Sequence, residues 1–147
     1  METQPPGIPN FKNVSGDVYR GGQPTNDGWD YLKKQLSIER VIKLNTEAEG
    51  SDVAAEALGM EVLYYPIPLA EQIIFKPNKQ LVMLAVQAIK ERTFVHCTHG
   101  TDRTGLVIGC YRYFCQGLTK DEAWADMLAN GFHPELLGLT LFWEWSV

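Results

Sequence analysis

The 147-residue chain is predicted to form a single α/β domain, with a central, mainly parallel sheet of about four or five strands flanked by helices. Three observations predict this. Short apolar runs alternate with longer segments of helical apolar spacing, and such alternation builds parallel sheets covered by helices. The length suits one core. The run His96-Cys97-Thr98-His99-Gly100-Thr101-Asp102-Arg103-Thr104-Gly105 sits between an apolar strand end and an apolar helix start. Open α/β sheets place ligands at such a strand–loop–helix junction, beyond the carboxyl end of a strand.

Taken in order, residues 1–10 are polar and proline-rich and read as a flexible N-terminal segment, leaving 11–147 as the folded domain. Phe11 to Tyr19 reads as a short strand or extended entry. Thr25 or Asn26 caps a helix through about Leu36, with Trp29, Leu32 and Leu36 at helical spacing. Val41–Leu44 is a buried strand. Ser51 caps a short helix that Gly59 ends. Glu61 to Ile67 is the next strand, stopped by Pro66 and Pro68. Pro77 opens a long helix to about Lys90, with Leu81, Leu84, Ala85, Ala88 and Ile89 along one side. Phe94–His96 is the central strand, and Thr104 to Gln116 the helix behind it, ended by Gly117. Thr119 and Glu122 form a capping box that starts another helix. Pro134 begins the last helix, which carries Leu137, Leu141 and Trp145. Trp124, Trp143 and Trp145 fit helix packing.

The net charge is −5 and no basic stretch stands out, which argues against a stable nucleic-acid partner. No apolar stretch is long enough to span a membrane. The N-terminus lacks the basic start and apolar segment of a secretory signal. The three cysteines, Cys97, Cys110 and Cys115, are an odd number grouped on one strand–loop–helix unit, not a disulfide framework. A cytoplasmic location is therefore expected. Nothing in the sequence fixes an oligomeric state.

The loop carries the chemistry. The N–H groups of Thr98, His99, Gly100 and Thr101, with those of the following helix start, converge on a hollow suited to an anion. Arg103 adds a planar fork for two phosphate oxygens. A field of that sign favours a thiolate, which makes Cys97 the candidate nucleophile. Thr104 is placed to donate a hydrogen bond to the sulfur. His96 alternates to the opposite side of the strand and reads as a buried support. Gly100 is expected because a close turn around phosphate leaves no room for a Cβ. His96, Cys97 and His99 cluster in sequence, but adjacent strand residues point opposite ways and a fourth ligand is lacking, so no metal and no cofactor are expected. Cys110 and Cys115 read as core residues.

The run resembles the Cys-x5-Arg-Ser/Thr signature of the cysteine-dependent protein tyrosine and dual-specificity phosphatases, over His96, Cys97, Gly100, Arg103, Thr104 and Gly105. The short chain is similar to the compact dual-specificity group. Val18-Tyr19-Arg20-Gly21-Gly22-Gln23-Pro24 and Arg40-Val41-Ile42-Lys43-Leu44-Asn45 resemble the opening strand and second strand of its bacterial members. The resemblance implies hydrolysis of phosphate monoesters through a phosphocysteine intermediate, on phosphotyrosine-type, inositol phosphate or phosphoinositide substrates.

That group normally supplies its general acid from an aspartate on the loop after the third or fourth strand. Here the region reads Pro66-Ile67-Pro68-Leu69-Ala70-Glu71-Gln72, with no aspartate. Asp102, placed like the loop aspartate of myotubularin-like and Sac-like phosphoinositide phosphatases, is the first candidate, and Glu71 the alternative. Cys-Thr-His-Gly also resembles RNA triphosphatase-like members, which keeps a polyphosphate substrate open; Lys76 and Lys79 could meet a second phosphate but read first as surface lysines at a helix end. The remaining alternative is a phosphate-binding module without turnover.

Overall fold

The computed structural model describes Pro5 and residues 7–147. Five strands form one sheet in the order β1-β2-β5-β3-β4, with β1 Lys12–Ser15, β2 Val18–Gly21, β3 Arg40–Lys43, β4 Glu61–Tyr64 and β5 Thr93–His96. Strands β2, β5, β3 and β4 run parallel. Only the edge strand β1 is antiparallel, paired with β2. The mainly parallel α/β sheet expected from the alternation is the one observed.

The inner strands β3 and β5 are buried on both faces, and alternate residues serve different cores. On one face, Val41 and Phe94 pack with Trp29 and Leu32 of α1 (Asn26–Lys34) and Ala55 of α2 (Val53–Ala57). On the other, Ile42 and Val95 pack beneath α4 (Lys79–Ala88), α5 (Arg103–Cys115), α6 (Lys120–Ala129) and α7 (Leu137–Ser146). Helix α5 is the central pillar of that face, and its residues from Arg103 to Cys110 are all buried. Gly109 lets α6 approach: a Cβ there would lie 2.5 Å from the Met127 sulfur.

Several elements differ from the sequence expectation. Phe11 to Tyr19 is not one strand but part of a hairpin, β1–β2, turned through Gly16 at φ +57°. The short helix starts at Val53, with the Ser51 hydroxyl accepting from the Val53 N–H at 3.2 Å. The side chain at the N-cap position, Asp52, turns inward instead. The long helix is capped by Asn78, whose side chain accepts from the Leu81 N–H, and it begins at Lys79. The strand after Glu61 stops at Tyr64, and a short helix, α3 (Leu69–Ile73), follows Pro68. The last helix starts at Leu137, three residues beyond Pro134. The capping box of Thr119 and Glu122 forms as read.

The segment expected to be flexible, residues 1–10, lies partly outside the described residues. Its end is packed: Ile8 is buried against Trp29 and Phe94, and Pro9 O accepts from the Gly22 N–H at 2.7 Å. Among the described residues, no helix is long and apolar enough to cross a membrane.

Candidate active site

The loop from Cys97 to Asp102 joins the end of the central strand β5 to the start of α5. Its shape follows from where its carbonyls go. Cys97 O lies 3.1 Å from His96 Nδ1. Thr98 O accepts from the Gln23 N–H at 3.0 Å. His99 O accepts from Asn10 Nδ2 at 2.8 Å, and Gly100 O from Arg20 at 3.0 Å. Four successive carbonyls are thus drawn outward to the scaffold. In a planar trans peptide the N–H points opposite its carbonyl, so the N–H groups of Thr98, His99, Gly100 and Thr101 are turned to the inside. The Gly100 N–H meets the Cys97 sulfur at 3.3 Å. Those of Thr98, His99 and Thr101 meet no protein acceptor among the described residues. The result is a ring of inward donors above a buried sulfur, next to the N-terminus of a thirteen-residue helix.

Gly100 sits at φ +83°, a region costly for other residues. The reason for a glycine is not the phosphate hollow. A Cβ would fall 2.5 Å from the backbone carbon of Gly21 and 2.6 Å from Gly22 N. The loop is pressed against the turn after β2, and glycines on both sides permit that contact.

Arg103 is buried at 3% exposure, and its guanidinium is held along one edge. NH1 donates to Glu49 Oε2 and to Ile67 O, both at 2.9 Å. NH2 donates to Glu49 Oε1 at 2.6 Å and to Thr98 Oγ1 at 3.3 Å. Nε has no partner among the described residues, so of the five N–H donors that one alone is open; the two-oxygen fork expected from the sequence is taken up by Glu49 instead. The Arg103 hydrogen bonds hold the Glu49 carboxyl far below the usual carboxylate range, despite its partial burial. For Arg103, burial works against the charge, but the Glu49 hydrogen bonds and the Cys97 and Glu49 charges outweigh it and raise the pKa. Glu49 was not legible as a site residue, because fifty-four positions separate it from Arg103 and it lies in an unremarkable Thr-Glu-Ala-Glu-Gly stretch.

Beneath the loop lies a buried polar network that the sequence did not announce either. His96 Nε2 lies 2.6 Å from Asp52 Oδ2, on the face where its ring packs on Phe94 and Trp29. Asp52 also accepts from Gln23 at 2.8 Å. The Lys43 ammonium, 1% exposed, reaches Asn45 Oδ1 at 2.7 Å, Gly50 O at 2.6 Å and Asp52 Oδ1 at 3.6 Å. Asn45 in turn donates to Thr98 Oγ1 at 3.2 Å, and that hydroxyl donates to Glu49 at 2.8 Å. Burial alone would raise the Asp52 carboxyl, but bonding to His96 and Gln23 and the Lys43 charge leave it lowered. Such a network is favourable only when nearly every member is satisfied, and here it ties β3, α2 and the Glu49 turn to the loop. Arg20 from β2 completes the floor. It is 3% exposed, with Nε unpaired among the described residues; burial lowers its pKa, while the Cys97 charge opposes that.

The remaining expected residues fall in three places. Thr104 is fully buried at the first turn of α5, and its hydroxyl meets no partner among the described residues, the Cys97 sulfur included. Asp102 lies at the rim. Its carboxylate accepts from the His133 N–H at 2.8 Å and Thr101 Oγ1 at 3.1 Å, and His133 Nδ1 lies at 2.9 and 3.1 Å from its two oxygens. Glu71 lies in the first turn of α3, four residues beyond the Ile67 carbonyl that Arg103 holds, and its side chain makes no hydrogen bond among the described residues. Lys76 and Lys79 are exposed beyond it. Cys110 is fully buried, and burial pushes its thiol up to about 12, consistent with an inert core residue. Cys115 is exposed rather than in the core. Among the described residues no three His, Cys, Asp or Glu side chains gather to hold a metal ion.

Residues 7–120 match the model of the tyrosine phosphatase family. The chain belongs to that family. It is 29% identical over 113 residues to a probable tyrosine-protein phosphatase of Dictyostelium discoideum, covering 70% of this chain and 65% of that protein. It is 24% identical over 109 residues to the inositol diphosphatase SIW14 of Saccharomyces cerevisiae, covering 70% of this chain and 39% of the yeast protein. The chain thus spans less than two thirds of the length of either relative. The catalytic core of Siw14 superposes with a TM-score of 0.78 at 19% identity, covering 99% of this chain and 88% of that one. The TpbA protein of P. aeruginosa, solved in complex with phosphotyrosine, superposes with a TM-score of 0.77 at 19% identity, covering 99% and 88%. At such identity these two structures establish the fold, and the family membership rests on the sequence match.

Proposed function

We propose that this chain hydrolyses phosphate monoesters through a phosphocysteine intermediate, without a metal. The observation that carries the proposal is the outward anchoring of four successive loop carbonyls, which aims the opposing N–H groups at the space above the Cys97 sulfur. Donors fixed in advance in this way match the three equatorial oxygens of a phosphoryl group in flight and cost no reorganisation during the reaction. The open Nε–H of Arg103 and the charge of its guanidinium add the cationic part of the cradle, with Glu49 fixing its angle. The sulfur attacks phosphorus in line, the ester oxygen leaves with a proton, and water then cleaves the S–P bond to release phosphate and restore Cys97.

Relatives of two kinds support a reading of the substrate class. One is named for phosphotyrosine protein and one for an inositol diphosphate. We therefore propose phosphotyrosine-type, inositol phosphate or phosphoinositide substrates for this chain. Family membership and an intact Cys97–Arg103 pair favour turnover over simple phosphate binding. A cytoplasmic location is also proposed, supported by the free cysteines and the reactive thiol it would keep reduced.

The test is release of p-nitrophenol from p-nitrophenyl phosphate with chelator present. Turnover inhibited by vanadate, which adopts the five-coordinate transition-state geometry, and absent in Cys97→Ser is the expected result. Chelator-sensitive turnover restored by zinc, or a Cys97→Ser protein with wild-type rates, would refute it.

A further inference from the structure

We propose that His133, held in place by Asp102, is the group that delivers the proton to the leaving oxygen. This rests on the phosphatase reading above and names a residue of the same site. The starting observation is that Asp102 is occupied by donors. The backbone N–H of His133 and the hydroxyl of Thr101 both donate to it, and the His133 ring nitrogen lies within 3.1 Å of each oxygen. Both oxygens of Asp102 are thus taken up as acceptors, Oδ1 by the His133 N–H and Oδ2 by the Thr101 hydroxyl.

The ring it holds is differently placed. His133 lies on the loop between α6 and α7, and this loop lies against the phosphate loop: Gly131 approaches Thr101, and Asp102 binds His133 through both backbone and ring. Nδ1 is committed to Asp102. Nε2 has no partner among the described residues, and the side chain is 55% exposed. An imidazole fixed through one nitrogen by a carboxylate, with the other nitrogen open, is the arrangement that orients a proton donor. Asp102 directly precedes Arg103 at the start of α5, which puts the pair beside the loop that carries Cys97.

The charges around the ring act in the same direction. Asp102 raises the imidazole pKa first by hydrogen bonding and then by its charge, which outweigh the opposing effect of burial, and Glu135 adds least. The cations on elements packed against this loop are engaged elsewhere: Lys12 of β1 with Asn130 Oδ1 at 2.9 Å, Arg103 of α5 with Glu49, and Arg112 of α5 with Asp126. His133 therefore carries its proton to higher pH than an ordinary histidine.

The steps balance. As the Cys97 Sγ–P bond forms and the P–O ester bond breaks, the proton on His133 Nε2 passes to the leaving oxygen, giving an alcohol and a neutral imidazole. In the second half, water attacks the phosphocysteine, its proton returns to Nε2, and the S–P bond breaks to give phosphate and the Cys97 thiolate.

The experiment compares phenyl phosphate, a poor leaving group, with p-nitrophenyl phosphate, whose leaving group needs little protonation. It uses the wild type, His133→Gln and Asp102→Asn, across pH. General-acid assistance contributes about 10²–10⁴-fold, so His133→Gln should slow phenyl phosphate by about a hundredfold or more and p-nitrophenyl phosphate far less. The high-pH fall in the wild-type phenyl phosphate rate should vanish in His133→Gln. It should move to lower pH in Asp102→Asn, together with the His133 ring titration followed by NMR. Equal slowing of both esters, an unchanged high-pH limb in His133→Gln, or a steeper leaving-group dependence in Glu71→Gln instead would overturn the assignment and leave the phosphatase reading intact. A wild type inactive on both esters would overturn the two together.

Discussion

Under the phosphate loop, Arg103 is gripped along one edge by both oxygens of Glu49, and Glu49 in turn takes the Thr98 hydroxyl, all within a buried lattice reaching Lys43 and Asp52. At its rim, Asp102 and His133 hold only each other and Thr101, with the imidazole half in water, and α3 carries Glu71 with no polar partner among the described residues. The floor is preorganised because its groups are buried and each constrains several others, so displacing one leaves a neighbour unsatisfied. The rim has the opposite character: His133 is half in water, Asp102 is partly buried beside it, and each has few polar partners. On the proposed function, the floor would handle what all phosphate monoesters share, and the rim what distinguishes them.

Changing the floor should therefore damage every substrate alike, and Glu49→Gln is expected to have the largest effect. It leaves the guanidinium of a 3% exposed arginine without its countercharge, and breaking a buried pair from one side costs about 3–5 kcal/mol. We expect kcat/KM to drop by about 10²-fold, equally for aryl and inositol phosphates, as when an oxyanion donor is misplaced. Unequal losses would move Glu49 from the floor to substrate selection. The pair is also robust to acid. Because the Glu49 carboxyl is depressed in the fold, its contribution to stability is complete above the ordinary carboxyl range, near pH ~4.3, and is lost only as pH falls through the depressed value.

Gly100→Ala should come next, and should act on stability as well as rate. Adopting φ +83° costs a non-glycine residue about 1–2 kcal/mol, and a Cβ 2.5 Å from Gly21 adds to this by pushing the loop off β2. Thermal unfolding should show a Tm several degrees lower, with weaker oxyanion binding. An unchanged Tm would mean that the contact with the β2 turn does not hold the loop.

Glu71→Gln sits at the other extreme. With no hydrogen bond lost, its rate on p-nitrophenyl phosphate should stay within about twofold of wild type, since surface changes away from special features are usually within about 0.5 kcal/mol. A larger loss would make α3 part of the catalytic machinery and blur the division between floor and rim.

The same division explains what could be read from the sequence. The phosphate loop was legible because its chemistry is local: Cys97, Gly100, Arg103 and Thr104 lie within eight consecutive residues between a strand and a helix. The parallel sheet was legible because Val41-Ile42 and Phe94-Val95 are apolar on both faces. Glu49, Asp52 and His133 were not, since their partners lie 54, 44 and 31 positions away and only the strand order and the packing of α6 on α5 bring them together. The β1–β2 hairpin did leave a signal, Ser15-Gly16-Asp17, a turn triplet inside the stretch expected as one strand. Helix α3 left little, because its large apolar residues, Leu69 and Ile73, are exposed and follow two prolines, and it packs against α7.

The donors gathered by the outward-anchored loop serve, on this reading, a thiolate that becomes phosphorylated. The most direct test is to acid-quench the enzyme within the first turnover of p-nitrophenyl phosphate and locate the phosphoryl group by mass spectrometry of its peptides. One phosphoryl group on the peptide containing Cys97, at the sulfur, and none in Cys97→Ser is the expected result. A phosphoryl group on His99 or His133, or product formed with no phosphorylated enzyme at any quench time, would contradict it.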